Sequence, residues 1–117
     1  MDDSRDLVEL TTRIARFAEV REWQRFHTPR NLVLALAGEV GELAAEFQWV
    51  EENEHLGSDH LNRVSDEIAD VAIYLIRLAD VLGVDLGEAI SRKIDQNEVR
   101  YPAENSRGSS AKYTAYE

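Results

Sequence analysis

The chain has 117 residues, enough for one domain, and no cysteine, which excludes disulfides and thiolate zinc sites. Its net charge of −10 argues against nucleic acid or anionic membrane as the main partner, because those ligands attract basic surfaces. A phosphorylated small molecule stays compatible, since a bound metal reverses the local sign of charge. Residues 1–6 are acidic, whereas a signal peptide begins with basic residues. No uncharged apolar run is long enough to span a bilayer. We therefore expect a soluble, cytoplasmic protein.

The first two predicted helices are separated by a proline. Apolar residues recur at helical spacing and predict a helix over about residues 3–25. Thr28 then serves as the N-cap of a second helix, with Pro29 at the first helical position, where its missing N–H is harmless. This segment extends to about residue 50 and is apolar on nearly every side, as in helices that are buried on several sides. One small subunit cannot easily surround such a helix, so the pattern predicts a homo-oligomer.

A polar stretch at residues 51–59 predicts a loop, with Ser58 or Asp59 as the next helix cap. Heptad-like apolar spacing then predicts a third helix over about residues 60–82. Gly83 follows as the residue that ends this helix.

A fourth helix is predicted from Asp85, whose capping pattern resembles a capping box, to about residue 101, where Pro102 stops it. The sequence has no strand-like alternation and therefore predicts an all-α fold with a four-helix bundle-type subunit. We expect one domain over residues 1–102 and a C-terminal tail over residues 103–117, which is Ser-rich and either mobile or able to close over a substrate.

Two carboxylate pairs interrupt the apolar pattern: Glu39 with Glu42 in the second helix, and Glu67 with Asp70 in the third. Residues three apart lie on one face of a helix, so each pair points one way and its like charges repel. Mg²⁺ prefers oxygen ligands, so two such pairs on facing helices would form a site that holds phosphate oxygens and activates a water. The alternative is that these side chains are solvated surface acids.

Two glycines flank the first pair. Gly38 and Gly41 each cost about 1 kcal/mol in a helix interior relative to alanine. We interpret them as positions where another backbone comes close.

Aromatic residues lie near the carboxylates in the sequence: Trp23, Trp49 and Tyr74. Aromatic rings beside a metal–phosphate site can stack on a nucleobase. Taken singly, Trp23 and Tyr74 are more often core residues, and for Trp49 the two roles are balanced.

Basic and amide side chains near the C-terminus are further candidates. Lys93 and Asn97 share a face of the fourth helix and can reach phosphate oxygens or the sugar, although spacing alone favours plain surface residues. Lys112 lies in the predicted tail, which either folds over a bound polyphosphate or stays free.

Longer motifs join these candidate residues. Residues 17–49 contain Phe-His-Thr-Pro-Arg-Asn, Gly-Glu-Val-Gly-Glu-Leu and Phe-Gln-Trp, and residues 66–75 read Asp-Glu-Ile-Ala-Asp-Val-Ala-Ile-Tyr-Leu. Lys-Ile-Asp-Gln-Asn, Arg-Tyr-Pro and Ser-Ser-Ala-Lys-Tyr-Thr follow within residues 93–114. With these motifs, the chain resembles the MazG-like all-α nucleoside triphosphate pyrophosphatases over nearly its whole length, and within them it is most similar to the dCTP pyrophosphatases.

The resemblance implies a metal site and a reaction. Mg²⁺, or Mn²⁺ in its place, would be held by the four carboxylates Glu39, Glu42, Glu67 and Asp70. The nucleotide would contact the three aromatic residues Trp23, Trp49 and Tyr74. The family cleaves a nucleoside triphosphate to the monophosphate and pyrophosphate, and its members assemble as dimers or tetramers.

One departure from the family bears on the substrate. Ile14 stands where the dCTP-preferring relatives have a histidine that contacts the substrate, which puts a preference for cytosine in doubt. We expect hydrolysis of dCTP or a modified dCTP for nucleotide-pool sanitation, with Glu39 or Glu42 acting on the attacking water and Lys93 and Lys112 on the outer phosphates. The alternatives are the same chemistry on dUTP or another non-canonical dNTP, or a non-catalytic helical interaction module.

Overall fold

The regular elements of the chain are all helical in a computed structural model that describes residues 5–108. The α-helices are α1 (Leu7–Val20), α2 (Pro29–Ala45), α3 (Ser58–Val81), α4 (Leu86–Arg100) and α5 (Ala103–Ser106), with a 3₁₀ turn at Gln24–Phe26. The predicted all-α class is therefore confirmed. Among the described helices, none has both the length and the apolar character required to cross a membrane. The cytoplasmic location stays a prediction.

The helix count differs from the prediction, because the described residues form five α-helices and not four. The additional helix is α5, a single turn that follows Pro102. Proline has no N–H with which to continue α4. Its carbonyl oxygen nevertheless accepts hydrogen bonds from the N–H groups of Asn105 and Ser106, both at 3.0 Å, and so opens a new turn.

Side-chain caps fix the starts of two helices at the predicted residues. Thr28 Oγ1 accepts a hydrogen bond from the N–H of Asn31 at 3.2 Å, and Asp85 Oδ1 accepts one from the N–H of Glu88 at 3.0 Å. The predicted cap of α3 is wrong. Gly57 occupies the N-cap position without a side-chain bond, so α3 already includes the two polar residues that were candidates for the cap.

Two helices end earlier than predicted, because their last turns tighten. After α1, Glu22 adopts a left-handed backbone with φ of 54° and so ends the helical path. After α2, the N–H groups of residues 46–48 bond to carbonyl groups three residues back. The end of α3 is as predicted, since Gly83 has φ of 71° and the next N–H, that of Val84, bonds to the carbonyl of Ala79 at 2.8 Å.

The chain divides into two compact units with the boundary between Val84 and Asp85. In the first unit, α3 packs mainly against α2 and also against α1. The buried apolar residues lie on these three helices: Ala18, Leu32, Val64, Ile76 and Ala79. The second unit contains α4 and α5. The predicted domain boundary after residue 102 stays a prediction.

The apolar second helix is less buried than its sequence suggests. Leu32 is the buried residue of α2, whereas Val33 and Leu34 are 48% and 61% exposed. On α3, Leu61 and Ile68 are both 53% exposed. A single copy of the chain therefore leaves much of its apolar surface in contact with water, and the predicted homo-oligomer stays a prediction.

The two glycines of α2 face open space. Among the described residues, beyond the adjacent helix backbone, no atom lies within 4 Å of a Cβ built on Gly38 or Gly41. Within residues 5–108, no other backbone therefore comes close to these glycines, and the interpretation that a further backbone packs there stays a prediction.

Replacing either glycine with alanine tests what occupies this space. We expect Gly38→Ala and Gly41→Ala each to raise the free energy of unfolding by about 1 kcal/mol, because alanine favours the helix and its Cβ meets no atom of residues 5–108 beyond the adjacent helix backbone. Urea denaturation measures the change. Gly83→Ala is the matched control and should lower stability, because its φ of 71° strains any residue with a Cβ. A loss of stability in either α2 variant would mean that a second molecule packs there.

Candidate metal centre

Carboxylates from two packed helices converge on one point. Glu39 of α2 and Glu67 and Asp70 of α3 each offer an oxygen, and these oxygens lie within 4.8 Å of one another. Glu42 is close enough for its charge to raise the pKa of both Glu39 and Glu67. The i, i+3 spacing places each pair on one helix face, and the packing of α2 on α3 brings the faces together.

Two of these carboxylates have an oxygen that lacks a partner. Oε2 of Glu39 and Oε2 of Glu67 are shielded from water and accept no hydrogen bond from the described residues. An unpaired buried oxygen on a charged group is costly, unless a cation satisfies it. A donor set made only of carboxylate oxygens suits Mg²⁺ or Mn²⁺. The residues present therefore fit a divalent cation.

Burial raises the pKa of Glu39 and Glu67 above the ordinary value of 4.5, and the charges of Glu42 and Asp70 raise it further. Both causes penalise the ionised form. The cluster therefore stores electrostatic repulsion at neutral pH, and a bound dication would relieve it.

The end of α2 is tied to the beginning of α3 next to this cluster. His60 Nε2 lies 2.6 Å from the backbone oxygen of Glu46, and Arg63 Nε donates to Glu46 Oε1 at 3.3 Å. The charge of Glu46 is also among the causes that raise the pKa of Glu67. These contacts help to fix the register in which the two helices present their carboxylates.

The three candidate aromatic residues lie in different surroundings. Trp23 stands between α1 and the 3₁₀ turn and is 43% exposed. Trp49 lies beyond the end of α2 and is 84% exposed, so it is not a core residue of a single chain. Tyr74 is half-buried on α3, one turn after Asp70 and on the same helix face.

The remaining candidates lie outside the first unit. Lys93 and Asn97 are exposed on α4, four residues apart and on a common face. Lys112 lies outside the described residues, so its predicted role stays a prediction.

Sequence reasoning missed a buried polar network behind Trp23. The Arg77 side chain is buried in α3, where its Nε donates to His27 Nδ1 at 3.1 Å and its Nη1 donates to Asp80 Oδ2 at 3.1 Å. Burial lowers the pKa of His27, and the Arg77 charge lowers it further, so the imidazole is the neutral acceptor. The available signal was an arginine and an aspartate three residues apart in an apolar helix, since buried charges must be paired.

The chain as a whole is similar to several known proteins. Residues 35–115 match the model of the MazG-like family. dCTP pyrophosphatase 1 of Mus musculus is 48% identical over 104 residues, which cover 86% of this chain and 61% of the mouse protein. The Homo sapiens protein of the same name is 49% identical with the same coverage. This chain thus spans about three fifths of the length of these relatives.

A solved structure is also similar. The crystal structure of a pyrophosphatase from Archaeoglobus fulgidus matches with a TM-score of 0.71 and 35% sequence identity. The match covers 87% of this chain and 97% of the archaeal chain.

The raised pKa values of Glu39 and Glu67 predict a pH-dependent stability. Their folded pKa exceeds the unfolded value of 4.5, so the stability they contribute is complete below that value and is lost as the pH rises through the folded pKa. In EDTA, we expect the melting temperature of Glu39→Gln and Glu67→Gln to fall less than that of the wild type as the pH rises from 4.5 toward neutrality. Millimolar Mg²⁺ should raise the wild-type melting temperature at neutral pH.

Glu19→Gln on the exposed part of α1 is the matched control and should keep the wild-type pH dependence. If both cluster variants also keep it, the carboxylates do not repel one another in the folded protein.

Proposed function

The chain belongs to the MazG-like family, and we propose that it is a divalent-cation-dependent nucleoside triphosphate pyrophosphohydrolase. The observation that carries the proposal is the convergence of carboxylates from α2 and α3, with two oxygens that lack a partner among the described residues. The relatives named dCTP pyrophosphatase 1 and the archaeal pyrophosphatase support the class of reaction. The products would be the nucleoside monophosphate and pyrophosphate.

The cation, Mg²⁺ or Mn²⁺, would be held by the four carboxylates Glu39, Glu42, Glu67 and Asp70. When bound, it neutralises phosphate charge and lowers the pKa of a coordinated water. Glu39 or Glu42 would orient the attacking water or accept its proton. The water oxygen attacks the α-phosphorus, and pyrophosphate leaves.

The nucleoside would be recognised by the aromatic residues. The exposed fractions of Trp23 and Trp49, 43% and 84%, leave indole surface available for stacking on a base. Tyr74 shares its helix face with Asp70, which suits a contact close to the phosphates. Lys93 and Lys112 would bind the β- and γ-phosphates, and Asn97 a phosphate or the sugar.

The substrate we propose is dCTP or a modified dCTP, in a role of nucleotide-pool sanitation. The 48% sequence identity between this chain and dCTP pyrophosphatase 1 of Mus musculus supports this choice. Ile14 supports a second candidate, dUTP or another non-canonical dNTP, because an apolar side chain cannot form the hydrogen bond of the histidine that the resemblance leads us to expect.

We further propose that the chain self-associates. Contiguous apolar exposure marks interaction surfaces, and α2 and α3 expose several large apolar side chains in a single copy. Light scattering should give a mass that is a multiple of the 13.3 kDa chain. A mass equal to that of one chain at micromolar concentration would contradict the proposal.

A variant of one carboxylate tests the chemistry. Glu42→Gln should lower pyrophosphate release by about 10²-fold or more, the usual contribution of a positioned acid or base. The melting temperature in EDTA should not fall, because the substitution removes a repelling charge. Glu19→Gln is again the control and should retain the wild-type rate. A Glu42→Gln enzyme with most of the wild-type rate would remove this residue from the mechanism.

A substrate panel tests the specificity. Pyrophosphate release from the four dNTPs, 5-methyl-dCTP and dUTP, with and without EDTA, should be fastest for a cytosine nucleotide and absent in EDTA. If the wild type releases no pyrophosphate and Mg²⁺ does not change its melting temperature, the non-catalytic interaction module is the better reading.

A further inference from the structure

One face of α3 carries an acidic pair and, further along the helix, a tyrosine and a buried arginine. Glu67, Asp70, Tyr74 and Arg77 are spaced by three, four and three residues, so they follow one another along the same face of the helix. The first two belong to the acidic cluster. The last is 8% exposed and is the buried charged residue of the described chain. Because α3 is a continuous helix, anything that Arg77 holds is placed in register with the acidic pair.

Arg77 holds a residue outside α3. Its guanidinium is fixed at one side by Asp80, one turn along α3, with Nη1 and Oδ2 3.1 Å apart. At the other side, Nε donates to Nδ1 of His27, 50 positions earlier in the chain, at 3.1 Å. A planar guanidinium donates in fixed directions, so these two bonds together define where the imidazole lies.

The imidazole in turn contacts the Trp23 indole. The two rings meet edge-to-face with centroids 6.4 Å apart, and Phe17 contacts the indole from α1 at 5.7 Å. The backbone between them forms a tight turn, in which the N–H of Phe26 bonds to the Trp23 carbonyl at 2.9 Å and that of His27 to the Gln24 carbonyl at 3.1 Å. A displacement of His27 would therefore displace Trp23.

We propose that Arg77 is a positioning residue for nucleobase recognition, which acts by holding His27 so that the Trp23 indole keeps a fixed place relative to the acidic residues of α3. The inference rests on the proposed function, in which Trp23 stacks on the base and the carboxylates bind the metal and phosphates. A base stacked on Trp23 then sets how far the triphosphate extends along α3. Loss of Arg77 weakens the binding of the nucleotide without removing a group that acts on the phosphates.

The first test observes the indole directly. Trp49→Phe leaves Trp23 as the one tryptophan of the chain, because the sequence contains two. Its indole N–H resonance in a ¹⁵N–¹H NMR spectrum reports the ring environment without turnover. Adding Arg77→Ala should shift or broaden this resonance. Arg13→Ala, which removes an exposed arginine of α1, is the matched control and should leave the resonance unchanged.

The second test separates positioning from chemistry. We expect Arg77→Ala to raise the KM for the preferred nucleotide about tenfold, within the range that one base–aromatic stacking interaction contributes, while kcat changes less than threefold. Trp23→Ala should raise KM by at least as much. The double variant should add little to the effect of Trp23→Ala, since both substitutions act on one contact.

A second variant covers the case in which Arg77→Ala does not fold. Arg77→Lys keeps the charge but cannot reproduce both bonds of the fork, so it should cause smaller changes of the same kind in the indole resonance and in KM. An indole resonance unmoved in Arg77→Ala or Arg77→Lys, or additive KM effects with Trp23→Ala, would overturn the inference. If the wild type hydrolyses no nucleotide, the proposed function fails, and the indole resonance alone then decides whether Arg77 holds Trp23.

Discussion

The fold depends on the packing of α2 against α3, which has to overcome the electrostatic repulsion between the carboxylates that the two helices enclose. Packing the two helices gives the first unit most of its core, yet the same packing brings Glu39, Glu67 and Asp70 together and shields one oxygen each of Glu39 and Glu67 from water. The hydrophobic contact and the charge repulsion therefore oppose each other across a single interface. A bound dication would turn the repulsion between the carboxylates into attraction and would leave the hydrophobic contact between the helices unchanged.

The sequence made this interface predictable because its signals are local. The i, i+3 spacing of each acidic pair places both members on one helix face whatever the partner helix is. The caps at Thr28 and Asp85 and the stop at Gly83 depend on a few neighbouring residues, and all three occur as predicted. Where a helix ends in a tightened turn without a glycine or proline, as after Val20 and Ala45, the sequence prediction extended too far.

Other parts of the site could not be derived from sequence, because they join distant residues. His27 and Arg77 come into contact only when α3 packs beside the segment that links α1 to α2. The residues around each of them do not predict that the two will be partners. The open space beside Gly38 and Gly41 likewise depends on tertiary packing, because it exists where no other described segment packs against α2. A glycine in a helix signals a cost, but not whether the benefit lies within the chain, in a second copy or in a ligand.

The small core and the strained acidic cluster have a common consequence. Few apolar residues of the described chain are fully buried, while Val33, Leu34, Leu61 and Ile68 remain about half exposed. Net stability is a small difference between large terms, so a chain with few buried apolar side chains has little margin with which to offset repelling carboxylates. Burial of the exposed apolar faces against another copy would increase the stabilisation from apolar burial. A bound cation would remove the repulsion between the carboxylates. In that view, the folded state, the metal and the assembly are thermodynamically linked, because anything that binds only the folded chain stabilises it.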